Sequence, residues 1–71
     1  SQTESFETKE LLDWALAQLP PAERMVLTLC YLEDRSVGEA ATLMGISQAN
    51  VKIRSMRARG KLRKIIGKAL G

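Results

Sequence analysis

Histidine is absent, cysteine occurs once (Cys30), and aromatic residues make up only 4% of the 71 positions. Without histidine and with a lone thiol, the chain has no zinc-finger ligand set, no Cys/His nucleophile pair, no His general base and no internal disulfide. Glycine-rich phosphate loops are missing as well, so an enzyme is not expected, nor a cofactor or a small-molecule substrate. No apolar run approaches the ~20 residues of a membrane span, and no secretory leader is visible. A cytoplasmic location without membrane insertion is the expectation. The chain begins at Ser1, which suggests a domain taken from a longer protein.

Acid is also missing from one half. Between Ala40 and Gly71 stand Lys52, Arg54, Arg57, Arg59, Lys61, Arg63, Lys64 and Lys68, with no Asp or Glu. Lys9, Arg24 and Arg35 are the only bases before that, against all eight acids. The net +3 therefore hides a dipolar chain whose second half suits a polyanion.

What remains is helical in pattern. Alternating strand patterns are absent, and Leu, Val and Ile recur at helical spacing. The fold expected is all-α: four helices in one small domain containing a helix-turn-helix. The first helix should start near Ser5 or Thr8 and run to Gln18, with Leu11, Leu12, Ala15, Leu16 and Leu19 as its apolar stripe and Trp14 at the border, read as core. Pro20 and Pro21 end it and start the second, because Pro disfavours a helical residue before it and suits a first helical position. That second helix should run to Tyr31 or Leu32, with Met25, Val26, Leu29 and Cys30 inward. Ser36 and Glu39 match a capping box at the start of a short third helix. Gly45 suits its left-handed end. Ser47 caps a fourth helix that should continue to about Ile66 or beyond. Residues 1–7 read as a flexible segment or linker, 8–66 as the domain and 67–71 as a fraying tail.

A short helix, a tight turn at Gly45-Ile46-Ser47 and a longer helix form a helix-turn-helix pattern. On a wheel centred on Val51, the residues Ser55, Ala58, Leu62, Ile65, Ile66 and Ala69 fall within about 60° and define the inner stripe. Lys52, Ile53, Met56, Arg57, Arg63 and Lys64 lie on the outer half, and Arg54, Arg59, Lys61 and Lys68 flank the stripe. Arg and Lys can donate to guanine O6 and N7, and apolar groups can touch the thymine methyl. The helix start, with Ser47 and Gln48, suits a phosphate. Ile53 and Met56 also fit a second reading, as core against the first two helices, and Arg54 fits pairing with an acid of the first half.

The segments LPPAERMVL (Leu19–Leu27), SVGEAATLMGIS (Ser36–Ser47) and VKIRSMRARGKLR (Val51–Arg63) together resemble region 4 of bacterial RNA polymerase sigma factors, most closely the extracytoplasmic-function group. The resemblance covers about Leu11 to Ile66. It implies a domain that binds double-stranded promoter DNA, with its last helix reading the −35 element. Docking on the β flap of the RNA polymerase core and masking by an anti-sigma factor are implied too. By position, Lys52, Ile53, Met56 and Arg57 would read bases, and Ser47, Gln48, Arg54, Arg59, Arg63 and Lys64 would meet the DNA backbone. Asn50 stands where the family usually has Thr, Ile53 where it often has Ser, and Ser55 at a usually aliphatic inner position. Two other readings stay open: the helix-turn-helix output domain of a response regulator, and a helical adaptor whose basic face binds an acidic protein.

Overall fold

A computed structural model describes residues 2–71, with side chains from Glu7 onward. It contains α1 (Gln2–Ala17), α2 (Pro21–Leu27), α3 (Val37–Met44) and α4 (Gln48–Leu70), with a π-helical turn, Thr28–Leu32, continuing α2. Thr8 lies inside α1 and does not cap it. The Ser5 side chain and nearly all of segment 1–7 fall outside the described side chains.

Each junction follows from local chemistry. Pro20 is extended (φ −54°, ψ 149°) and Pro21 opens α2, where its missing N–H costs nothing. The second helix is not uniform, in contrast to the single helix expected. Thr28 Oγ1 donates to the Arg24 carbonyl at 2.8 Å, and the Glu33 N–H reaches back five residues to Thr28 O at 2.9 Å. The wider turn brings Leu27, Tyr31 and Leu32 to one face. Asp34 then takes a left-handed conformation (φ 53°), and the Arg35 N–H closes on Leu29 O at 2.8 Å.

The capping box at α3 is complete. Ser36 Oγ accepts from the Glu39 N–H and the Glu39 carboxylate accepts from the Ser36 N–H, both at 3.0 Å. These bonds, with Arg35 nearby, hold the Glu39 carboxyl below its ordinary value. A depressed folded-state pKa contributes stability above the unfolded value of about 4.5, which is lost as pH falls through the folded value. Loss of the cap bond in Ser36→Ala is expected to cost about 1 kcal/mol near neutrality. Its deficit should shrink in acid, as followed by urea denaturation at several pH values. Gly45 ends α3 at φ 68°, and the Ile46 N–H bonds Ala41 O at 3.0 Å.

The core is Leu16, Leu19, Val26, Leu27, Ala40, Ala41, Val51 and Ala58. Leu12, Leu29, Cys30, Val37, Met44, Ile46, Leu62 and Ile65 pack at its edge. Small Ala40, Ala41 and Ala58, all buried, let α3 and α4 approach closely. Two expectations are corrected. Trp14 and Met25 are half-exposed, because the inward stripes of α1 and α2 centre on Ala15/Leu16 and Val26/Leu27 instead. Ala69, placed on the inner stripe, is exposed, because α4 stays helical to Leu70, through the segment read as a fraying tail, and its end outruns the other elements. That overhang explains a radius of gyration of 13.0 Å, where a compact chain of this length would give about 11 Å.

Candidate nucleic-acid interface

The surface is built on α4, whose start is set by Ser47. The Ser47 backbone is extended (φ −73°, ψ 158°) and its Oγ accepts from the Asn50 N–H at 3.1 Å. Val51, fully buried, seats the first turn on α3. Ser55 and Ala58 follow it inward at helical spacing, both buried, and Leu62, Ile65 and Ile66 are partly covered. The inner stripe thus runs as the wheel placed it, apart from Ala69.

With that stripe turned in, no helix among the described residues covers the opposite side. Lys52 and Arg57 are exposed, Ile53 is 43% exposed and Met56 60%. The reading of Ile53 and Met56 as core is thereby excluded. Arg63 and Lys64 continue the exposed face. From Lys52 to Lys64 is about 18 Å of helix, the rise of about five base-pair steps. The protruding rod is free to enter a groove about 12 Å wide.

Other expected residues stand elsewhere. Gln48 is exposed, but its side-chain amide lies against the first turn of α3 beside Gly38. Arg54 is half-buried, and among the described residues it forms no ion pair with an acid. Lys61 takes that part, its Nζ 2.9 Å from Glu23 Oε1 on α2. Arg59 turns away from the outer face and stacks over Tyr31, 5.9 Å from the ring centroid, where a guanidinium is attracted by the π face.

Comparison with known proteins bears on the same residues. Residues 9–62 match the family described as "Sigma-70, region 4". The chain belongs to the sigma-70 region 4 family. Its relatives include sigma factors of the extracytoplasmic-function (ECF) type. "ECF RNA polymerase sigma factor SigM" of Bacillus subtilis (strain 168) is 36% identical over 99% of this chain and 43% of that protein. The protein of the same name from Mycobacterium tuberculosis (strain H37Rv) is 29% identical over 93% of this chain and 34% of its own length. The chain thus spans less than half the length of these relatives. No solved structure gives a match. The response-regulator reading is not favoured by these relationships.

The region 4 domain also carries a feature that sequence reasoning missed. Leu12, Leu16, Leu27, Tyr31, Leu32 and Leu62 line an apolar cleft of about 190 Å³, with Arg59 at its edge. Leu12, Leu16 and Leu62 were legible as inward residues. Tyr31 and Leu32 reach the cleft through the π turn, which leaves no periodic signal. Among the described residues, no helix is long and apolar enough to cross a membrane.

Proposed function

We propose that this chain is the promoter-binding domain of an alternative sigma factor of the extracytoplasmic-function type. The outer face of α4 lies in the major groove of the −35 element. Lys52, Ile53, Met56 and Arg57 read base edges, while Ser47, Gln48, Arg54, Arg63 and Lys64 position the helix on phosphates. Arg59 is a weaker candidate for the backbone, since leaving Tyr31 would forfeit its stacking. The observation that carries this reading is the joint outward exposure of Ile53, Met56 and Arg57 on a helix whose opposite stripe is sealed.

The apolar cleft serves the second partner, the RNA polymerase core, through its β flap. The apolar lining between α1, the π turn and α4 suits an apolar segment of that flap. An anti-sigma factor would cover Ile53 and Met56, since exposed aliphatics on a basic helix favour protein contact. The compartment is then the cytoplasm, where polymerase and DNA meet.

Selection of bound sequences from a random duplex pool tests the DNA reading. An enriched motif is expected, with log K falling linearly in log salt at a slope of about −0.9 per phosphate neutralised. No enrichment together with a flat salt response would remove it.

A further inference from the structure

The DNA reading leaves Glu23 unused. It stands on α2 with its side chain only 16% exposed, and Oε1 is held by Lys61 Nζ at 2.9 Å. Its second oxygen, Oε2, is buried without a hydrogen-bond partner. The remaining described ion pairs, Arg35 with Glu33 and with Glu39, are local in sequence. Lys61–Glu23 is therefore the ion pair, among the described residues, that joins the acidic half of the chain to the basic helix.

Lys61 lies one turn beyond Arg57 and about 40° from it around the helix. Its side chain is 52% exposed, so it borders the face proposed for DNA. Moving it to a phosphate would leave a mostly buried carboxylate with neither oxygen paired, a state far costlier than an intact pair. Lys61 is thus held back from the cations available to the duplex, and Glu23 adds an acid beside them.

Resting on the DNA reading, we infer that Glu23 is a specificity-determining residue that restrains sequence-independent DNA binding by sequestering Lys61. Non-specific affinity comes almost wholly from phosphate neutralisation. Withholding a cation at the edge of the groove lowers that background, while the base-reading residues Lys52, Ile53, Met56 and Arg57 are untouched.

The test is a salt titration of binding to a duplex of random sequence, using the wild-type chain, Glu23→Gln, Glu23→Gln/Lys61→Gln and Glu33→Gln. Glu33→Gln changes the net charge equally but lies outside the pair. Thermal melts confirm that each variant is folded. Glu23→Gln is expected to bind several-fold more tightly at low salt, with a slope steeper by about 0.9, one further phosphate contact. Adding Lys61→Gln should return both affinity and slope to the wild-type values, and Glu33→Gln should leave the slope alone. An unchanged slope in Glu23→Gln overturns the inference, as does a gain that survives loss of Lys61 or that Glu33→Gln reproduces. Failure of the DNA reading itself would show separately, as an absence of salt-dependent binding by the wild-type chain.

Discussion

Replacing Val51 with aspartate is expected to unfold the domain, while Ile53→Asp should leave it folded and defective only in binding DNA. Val51 is fully buried and belongs to the same cluster as Val26, Ala40, Ala41 and Ala58. A domain this small holds roughly 3–5 kcal/mol in its core. Removing the valine side chain forfeits about 2 kcal/mol of burial. Seating an unpaired carboxylate there costs several kcal/mol more, so the sum matches or exceeds the whole stability. Far-UV circular dichroism should show loss of helix for Val51→Asp at 25 °C. Ile53 is 43% exposed, so Ile53→Asp should change stability by about 0.5 kcal/mol or less. Its new charge would face phosphates, and duplex binding should fall sharply. A cooperative melt of Val51→Asp near the wild-type temperature would mean that α3 and α4 are not sealed through this residue.

That pair of substitutions also shows which parts of the molecule the sequence discloses. Elements whose cause is local were readable: the Ser36/Glu39 box, the left-handed Gly45, the Ser47 cap and the Pro20-Pro21 break. The inner and outer faces of α4 were readable as well, because its apolar residues keep one helical period while its bases fill the remainder. What was hidden depends on residues far apart in the chain or on departures from the regular period. The π turn at Thr28–Leu32 shifts Tyr31 and Leu32 around the helix and opens the cleft, yet its residues suit an ordinary helix. Trp14 and Met25 look like core by type, and they are exposed because the buried stripes of α1 and α2 centre on Ala15/Leu16 and Val26/Leu27. Glu23 and Lys61 are 38 positions apart, so no spacing rule joins them. The same blindness left Arg54 as one candidate partner for an acid and hid the stacking of Arg59 on Tyr31. The site is thus legible where one helix builds it alone, and illegible where α2 or the π turn contributes.

The base-reading role can be separated from phosphate contact at Arg57. Arg57 is exposed in the third turn of α4, beside Ile53 and Met56, within the part of a recognition helix that contacts base edges. A guanidinium there can make two parallel bonds to guanine O6 and N7, a contact worth about 1–3 kcal/mol of discrimination. Arg57→Ala should therefore weaken binding to the selected sequence by that amount and relax the preference at a single base pair. Binding to random duplex should weaken less, since that complex never contained the base contact. Arg63 is also exposed, nearly two turns further along α4, where on the proposed DNA reading the helix would leave the groove. Arg63→Ala should reduce affinity for every sequence alike and flatten the salt slope by about 1. Competition binding of both variants against a panel of single-base-pair changes distinguishes the roles. Equal losses across that panel for Arg57→Ala would make Arg57 a phosphate ligand and move base reading to Lys52, Ile53 and Met56. A selective loss for Arg63→Ala would extend the reading surface toward the end of α4, deeper into the groove than the fold otherwise suggests.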